Sequence, residues 1–344
     1  MEILDERTRK VLYAVVQSYI YVPEPVGSRA VTKKYAFGVS PATIRNIMAD
    51  LVDMGFLMQP HTSAGRVPTD RGYRFYVDSL VAERDFRYKT DILHEVYTRL
   101  EALRDNIGGL LNEATRTLSL LSHYLGIAMS PRLDMTTLQR IELIKCRADK
   151  IAVIIVTDEG LIKNNVISLD TDISQRDLNR ITSYLNAEFA GLTLDEIRLK
   201  VFREMARDKS KCDRLILRAM KICRKALSFT FNDFFVSGLS EVLDLPDFTD
   251  LKKIRELSRT IEDKHTIIKL LNKVIESDGV QILIGSENTT DDMKKLSIVV
   301  SACRDEDRPI GVVGIIGPTR MDYEKAIYIV DSTAKYITKI LADR

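Results

Sequence analysis

The sequence has few cysteines and no long apolar run. The four cysteines, Cys146, Cys212, Cys223 and Cys303, lie far apart and form no C-x-x-C pair. This spacing fits neither a disulfide framework nor a zinc cluster and is typical of reduced thiols. The longest apolar runs, such as 151–156, are far shorter than the roughly 20 residues that cross a bilayer. Because the charged start also differs from a signal peptide, we expect a soluble cytoplasmic protein with no membrane contact.

Sequence motifs of catalysis and cofactor binding are also missing. The chain contains no H-E-x-x-H or G-x-S-x-G motif, and its histidines are isolated. The run GVVGIIGPTR at 311–320 is rich in glycine but lacks the Gly-Lys-Ser/Thr ending of a phosphate-binding loop. We interpret it as a buried strand that ends at Gly-Pro. We therefore expect no catalytic site, no bound cofactor and no metal ion.

The charge of the chain is balanced as a whole but not locally. With 51 basic and 49 acidic residues the net charge is +2, so any affinity for a polyanion must come from a local arrangement. Between Gly27 and Tyr76 seven basic residues face three acidic ones, which is the pattern of a nucleic-acid contact. The basic residues are Arg29, Lys33, Lys34, Arg45, Arg66, Arg71 and Arg74, and the acidic ones are Asp50, Asp53 and Asp70.

The N-terminal region shows the spacing of three helices. Apolar residues recur at helical intervals over 8–20, and a short second helix over 26–35 ends before a Phe-Gly pair. In the third, Ser40 is placed to cap the helix, Pro41 occupies the first helical position, and Gly55 closes the end. The apolar residues of this third helix form one stripe, which leaves polar side chains on the opposite face.

A two-stranded ribbon is predicted directly after the third helix. The extended segments 56–60 and 65–68 are joined by the turn HTSA, and Thr69 is placed to cap a fourth helix. The order helix, helix, helix, ribbon, helix is that of a winged helix-turn-helix. In that fold the third helix enters the major groove of DNA and the ribbon, or wing, lies beside the backbone.

This arrangement predicts a set of DNA-contacting residues. Arginine can bind guanine and asparagine can bind adenine through paired hydrogen bonds, whereas hydroxyls, backbone N–H groups and cations suit phosphates. The candidates are Ser28, Arg29 and Lys33 on the second helix, Ser40, Thr43, Arg45 and Asn46 on the third, and His61, Thr62, Ser63 and Arg66 on the wing. His61 fits packing at the base of the wing equally well. We expect Asp50 and Asp53 to face away from phosphate or to pair with nearby cations.

The rest of the chain predicts an α+β protein. A nearly heptad rhythm runs from Ile92 to Leu125, and the pair Gly108-Gly109 interrupts it, so we expect a helix packed on its own domain. Alternating segments over 138–168 predict a three-stranded antiparallel meander. Helical patterns follow over 174–226, with a break at Ala190-Gly191, and further strands and a closing helix come after residue 279.

The stretch SPATIRNIMADLVDMGFLMQPHTSAGRVPTDRGYRFYVD at 40–78 and the run IIGPTRMDYEKAI at 315–327 resemble HrcA, the bacterial heat-shock repressor family. The resemblance covers essentially the whole chain. It implies a multidomain protein with a winged helix-turn-helix at 1–81, a GAF-like α/β domain split over 82–137 and 228–344, and an inserted dimerising domain of three strands plus helices at 138–227. It also implies a homodimeric repressor of chaperone operons that binds double-stranded DNA at a CIRCE-type inverted repeat, with the GroEL chaperonin favouring the active form.

Two other functions stay open at this point. The apolar strands after residue 279 can line a pocket for a small effector, because sequence does not distinguish a pocket from a filled core. An enzyme with a DNA-binding arm, as in the bifunctional biotin ligases, is the second alternative. Its nucleotide-binding glycine-arginine loop does not occur in this sequence.

Overall fold

The computed structural model forms two compact units. The first joins Met1–Met129 to Phe234–Arg344, and the second is Ser130–Asp233. The mixture of helices and antiparallel sheets confirms the predicted α+β composition. The predicted insertion, 138–227, lies within the second unit, and its role in dimerisation stays a prediction. The structure describes residues 4–83, 92–104, 106–130, 136–147, 149–158, 162–169, 172–206, 214–227, 234–248, 250–275, 277–288, 290–305 and 308–342.

The first unit begins with the predicted succession of three helices, a ribbon and a fourth helix, here called the N-terminal module (residues 4–83). Its elements are α1 (Glu6–Tyr21), α2 (Ser28–Lys34), α3 (Pro41–Asp53), β1 (Leu57–Met58), β2 (Val67–Pro68) and α4 (Asp70–Glu83). Helix α1 begins two residues before the predicted start, because Asp5 accepts hydrogen bonds from the N–H groups of Arg7 and Thr8. Gly55 closes the end of α3 in the left-handed conformation, as predicted. Gly38 is also left-handed, but it does not end α2, which stops at Lys34 with an extended cap at Tyr35.

The remainder of the first unit is a five-stranded antiparallel sheet covered by helices on both faces. The strands are β3 (Leu125–Met129), β7 (Phe234–Ser237), β8 (Val280–Ile284), β9 (Leu296–Asp305) and β10 (Arg308–Pro318), in the order β7-β3-β10-β9-β8. The helices are α5 (Ile92–Glu101), α6 (Ile107–Ser122), α10 (Leu239–Leu243), α11 (Leu251–Glu262), α12 (Lys264–Val274) and α13 (Tyr323–Ala342). One sheet face packs on α11 and α12, and the sheet also contacts α6 and α13.

The long helix predicted from Ile92 to Leu125 is wrong as a single element, since it is divided into α5, α6 and the start of β3. An interruption was predicted at Gly108-Gly109, but the break lies before these glycines, between the end of α5 at Glu101 and the start of α6 at Ile107. These glycines lie in the first turn of α6, where the Asn106 side chain accepts a hydrogen bond of 2.9 Å from the Gly109 N–H. The cap at Asn106 therefore starts a new helix, α6, and the helix of α5 does not continue through this point. The expectation that this segment packs on its own domain is confirmed by the contacts of α6 with β3 and β10.

The second unit contains the predicted meander and three helices. Its elements are β4 (Leu138–Arg147), β5 (Lys150–Thr157), β6 (Ile162–Ser168), α7 (Gln175–Phe189), α8 (Leu194–Ala206) and α9 (Arg214–Leu227). The order β4-β5-β6, with both pairs antiparallel, confirms the meander. Helix α7 ends before Ala190-Gly191, where the break was predicted. One sheet face and the helices share an apolar core.

None of the helices in the described part of the chain is both long and apolar enough to cross a membrane.

Candidate nucleic-acid interface

Helix α3 presents two free polar side chains on its outward face. Its apolar stripe of Ile44, Met48 and Leu51 is buried, because these residues recur at helical spacing. Arg45 and Asn46 lie on the opposite side and are exposed. Within the described residues neither side chain takes part in a hydrogen bond or an ion pair. Both are therefore available to bind a ligand without breaking an existing contact.

The hydroxyls of Ser40 and Thr43 have a structural task at the start of α3. Ser40 Oγ accepts a hydrogen bond of 3.2 Å from the Thr43 N–H and lies 3.0 Å from Thr43 Oγ1. The predicted cap is thus confirmed. A hydroxyl has one O–H donor besides its acceptor lone pairs, so Ser40 can donate to a phosphate while it still accepts the Thr43 N–H at the helix end.

The turn between β1 and β2 is held by a side chain that the sequence did not single out. Gln59 Nε2 donates to the carbonyls of Thr62, at 2.9 Å, and Ala64, at 3.1 Å. The turn is closed further by the Ala64 N–H, which donates to the His61 carbonyl at 2.9 Å. The side chains of His61, Thr62 and Ser63 are exposed at its tip. His61 therefore does not pack at the base of the ribbon in this structure.

The base of the ribbon is paired with the segment that precedes α2. Val26 and Arg66 exchange backbone hydrogen bonds of 2.8 and 2.9 Å. A Cβ atom on Gly65 would lie 2.5 Å from the Val26 carbonyl carbon and oxygen, so this close approach requires glycine. The Arg66 side chain is half-buried, and its Nη1 lies 3.4 Å from the Ala64 carbonyl oxygen. To reach a phosphate this guanidinium must swing away from its own strand.

Helix α2 carries the first of the cations counted between Gly27 and Tyr76. Arg29 and Lys33 are exposed and stand four residues apart, and neither forms an ion pair within the described residues. Ser28 opens the helix, and its carbonyl accepts a hydrogen bond of 2.8 Å from Thr32 Oγ1. The spacing places the two cations on one side of α2.

Two of the basic residues counted in the sequence are structural. Arg71 Nη1 donates to the Met54 carbonyl at 2.8 Å, and its guanidinium lies 4.6 Å from the centre of the Phe56 ring. Arg74 forms an ion pair with Glu287 outside the N-terminal module. The local excess of charge that faces solvent is therefore smaller than the sequence count.

The second half of α3 is acidic. Asp50 and Asp53 are exposed, and the structure shows neither in an ion pair with a described residue. The expected pairing with nearby cations is thus not seen. Because carboxylates repel phosphate, only the first half of α3, with Arg45 and Asn46, can approach a nucleic-acid backbone closely.

Comparison with known proteins identifies the family. A family model described as the HrcA protein C terminal domain matches residues 108–327. The chain is 44% identical over 343 residues to the "Heat-inducible transcription repressor HrcA" of Thermodesulfovibrio yellowstonii, with 99% of each chain covered. This chain belongs to the HrcA family. The protein of the same name from Geobacter sulfurreducens is 42% identical over 339 residues, with 98% of each chain covered.

A solved structure described only as a hypothetical protein shares the fold of this HrcA-family chain. It superposes with a TM-score of 0.65 at 23% sequence identity and covers 99% of both chains. This likeness shows the fold alone. The family model and the curated relatives confirm the resemblance found in the sequence at the level of the family.

The second motif of the HrcA resemblance, GPTRMDY at 317–323, joins the N-terminal module to the five-stranded sheet. Arg320 binds the Asp247 carboxylate with Nη2 to Oδ2 at 2.5 Å, and its Nη1 donates to the Ile20 carbonyl at the end of α1. The Tyr323 ring lies 5.8 Å from that of Tyr73 on α4. The overlapping run GVVGIIGPTR, at 311–320, is a buried strand that ends at Gly317-Pro318, as predicted.

Two buried tyrosine hydroxyls fix the motif on the sheet side. Tyr323 OH donates to the Thr319 carbonyl at 2.7 Å and lies 2.7 Å from Ser297 Oγ, and Tyr124 OH accepts from the Asp322 N–H at 3.1 Å. Burial raises the pKa of Tyr124 to about 12 and also raises that of Tyr323. Both hydroxyls therefore stay protonated at neutral pH, and the joint does not titrate there.

No group of three or more His, Cys, Asp or Glu side chains in the described residues is arranged to hold a metal ion.

Proposed function

We propose that this HrcA-family chain is a sequence-specific, DNA-binding repressor of heat-shock chaperone operons. The observation that carries the proposal is the pair Arg45 and Asn46, exposed and free on the outward face of α3 beside an exposed ribbon turn. The relatives named above are called heat-inducible transcription repressors. Their similarity over nearly the full chain supports the same role here.

The N-terminal module is proposed to act as a winged helix-turn-helix. Helix α3 enters the major groove, where Arg45 and Asn46 contact base edges. Arg29 and Lys33 on α2 contact phosphates, together with Ser28. On the wing, His61, Thr62 and Ser63 stand at the exposed tip, and Arg66 joins them after its guanidinium swings outward. At the start of α3, Ser40 and Thr43 contact the phosphate backbone of the DNA.

The repressor is proposed to be a homodimer that assembles through the second unit. The sheet face that is turned away from the core carries apolar residues, and Ile144, Ile162 and Val166 expose 47%, 69% and 57% of their surface. The strand register sets Val166 beside Ala152, and Ala152 beside Ile144. A two-fold DNA site requires two copies of α3, and a self-complementary apolar face suits a two-fold dimer.

The remaining assignments rest on the family resemblance. The five-stranded sheet with its helices is proposed to be the GAF-like domain. The DNA site is proposed to be a CIRCE-type inverted repeat, and the chaperonin GroEL is proposed to favour the DNA-binding form. A partner that prefers one form of a protein raises the apparent affinity of that form for its other ligands.

The test is a gel-shift titration of the full chain against a CIRCE-type inverted repeat and a scrambled duplex of equal length. We expect preference for the repeat, tighter binding when GroEL is added, and loss of that gain when unfolded client protein is in excess. Equal binding to both duplexes by a folded, dimeric preparation contradicts the repressor proposal. Indifference to GroEL contradicts the chaperonin part alone.

A small effector is the second candidate, and one cavity favours it. A pocket of about 210 Å³ is lined by Asp247, Phe248 and Lys295, among other residues. Asp247 is also the residue that binds Arg320 at the joint with the N-terminal module, so an occupant can act on that joint. The volume is below the roughly 300–1,000 Å³ of ordinary ligand pockets. A thermal-shift screen with nucleotides and metabolites tests this candidate. If none of these compounds stabilises the protein, the result counts against a small effector.

A further inference from the structure

Helix α9 of the second unit has an outward face made of cations. Its sequence, RLILRAMKICRKAL, contains five basic residues and no acidic one. The side chains of Ala219, Met220, Ile222 and Cys223 are buried in the core of the unit. Arg218, Lys221 and Arg224 lie outside that apolar stripe and are exposed. At 100° per residue these three side chains occupy one side of the helix.

No carboxylate neutralises this face within the described residues. Arg218, Lys221 and Arg224 form no ion pair or side-chain hydrogen bond there. Lys225 differs, because its Nζ donates to the Ser168 carbonyl at 3.0 Å. Like charges three or four residues apart destabilise a helix. An anionic partner would remove this repulsion.

Helix α11 shows what a balanced basic helix looks like in the same protein. It exposes four cations, of which Lys252, Arg255 and Arg259 stand at a similar spacing. Carboxylates are interspersed with them, and Glu256 forms an ion pair of 2.9 Å with Lys295. The two helices therefore differ in the local balance of charge more than in the number of cations.

We propose that the face formed by Arg218, Lys221 and Arg224 is a second DNA-binding surface, which contacts the phosphate backbone of double-stranded DNA without regard to sequence. The helical rise separates Arg218 from Arg224 by about 9 Å along the axis, a length over which duplex DNA carries roughly five phosphate charges. Arginine also binds phosphate through two parallel hydrogen bonds. The relevance of this surface rests on the proposed DNA-binding function, but it adds a site in a different unit of the chain.

The composition of the face favours DNA over an acidic protein partner. Protein interfaces depend on apolar or aromatic side chains at their centre. Among the described side chains of α9, none is an exposed large apolar residue. A phosphate backbone needs only cations, and this face offers cations alone.

The first experiment measures how the affinity of the full chain for a random-sequence duplex depends on salt. Affinity falls as salt rises, and the variant Arg218→Gln/Lys221→Gln/Arg224→Gln should make this fall less steep. The magnitude of the slope of log affinity against log salt should decrease by about 2–3, because each lost phosphate contact removes roughly 0.9. The matched variant Lys252→Gln/Arg255→Gln/Arg259→Gln should keep the slope of the parent. Arg218→Lys/Arg224→Lys preserves the charge and should also keep it. Thermal unfolding and sedimentation confirm that each variant is folded and assembled.

A second readout locates the contact directly. Random-sequence DNA should protect Lys221 from acetylation, as measured by mass spectrometry, and should leave Lys252 reactive. An unchanged slope in the α9 variant, equal losses in the two triple variants, or unprotected Lys221 overturns the proposal. The proposed repressor function fails separately, by loss of preference for the inverted repeat. Arg45→Ala/Asn46→Ala should remove that preference and leave the α9 contribution to the slope intact.

Discussion

The Arg74 guanidinium and the Glu287 carboxylate, 213 positions apart in the chain, face each other through two parallel contacts, of which Nε to Oε1 measures 2.7 Å. Arg74 Nη2 also donates to the Ile282 carbonyl at 2.7 Å. Beside this pair, Asp70 Oδ2 accepts from the Ser286 N–H at 2.8 Å. Helix α4 is thereby attached to the end of β8, which sets the orientation of the N-terminal module on the five-stranded sheet.

The two parallel contacts between the side chains predict an energetic coupling between Arg74 and Glu287. A double-mutant cycle with Arg74→Gln and Glu287→Gln should give a coupling of roughly 0.5–2 kcal/mol in the free energy of unfolding. Both side chains are about a third exposed, at 29% and 33%, so solvent screening keeps the value modest. Urea-induced unfolding measures it. The exposed pair Lys10 and Glu6 on α1 is the control, and a coupling between Arg74 and Glu287 no larger than the control value contradicts the attachment.

Loss of either α3 side chain should reduce the preference of the protein for its operator. Arg45→Ala or Asn46→Ala should cost about 1–3 kcal/mol of operator binding, because base contacts provide specificity. Binding to random DNA should change little. Fluorescence anisotropy with both duplexes measures the two effects. Lys10→Ala on α1, which removes an exposed ion pair with Glu6, should alter neither, and equal losses on both duplexes would refute a base-reading role.

The contact between Gly65 and Val26 should not tolerate a side chain. Gly65→Ala places a methyl group 2.5 Å from backbone atoms of Val26, and this overpacking should destabilise the protein by about 1–3 kcal/mol. Gly27→Ala is the matched control, because nothing lies within 4 Å of its added Cβ, and it should cost under about 1 kcal/mol. Chemical denaturation of both variants measures the difference. Equal stability of the two would show that the ribbon is not seated as described.

Removal of the second unit should give a folded monomer. Met129 and Phe234 are directly paired across β3 and β7, so residues 130–233 can be replaced by an Asn-Gly turn. In the full chain, Ile162→Asp/Val166→Asp should disrupt the dimer, whereas Leu251→Asp, at a residue 71% exposed in the first unit, should not. Sedimentation velocity measures assembly. A dimer that persists after the deletion places the interface elsewhere.

The sequence predicted local elements well and distant contacts poorly. The caps at Ser40 and Thr69 and the glycine that follows the end of α3 depend on neighbouring residues only, so the sequence pattern was sufficient to predict them. The role of Arg74 depends on a carboxylate in another part of the chain, and no periodicity identifies such a partner. The break between α5 and α6 was predicted a few residues too late, at Gly108-Gly109, because the apolar rhythm gives no sign of the cap at Asn106. Gln59 was missed because its partners are backbone carbonyls of a turn, and a sequence pattern does not show which side chain binds them.

The short donor-bearing half of α3 limits how much sequence information the helix can carry. A paired hydrogen bond from Arg45 or Asn46 selects one base pair out of four, or about two bits. Two such contacts on each of two helices give about eight bits, which selects one site in roughly 256, whereas a bacterial chromosome offers on the order of 10⁶ sites. Most of the specificity must therefore come from the spacing of the half-sites and from the shape of the DNA. An operator that keeps the contacted bases but alters the spacing between half-sites should then be bound no more tightly than unrelated DNA.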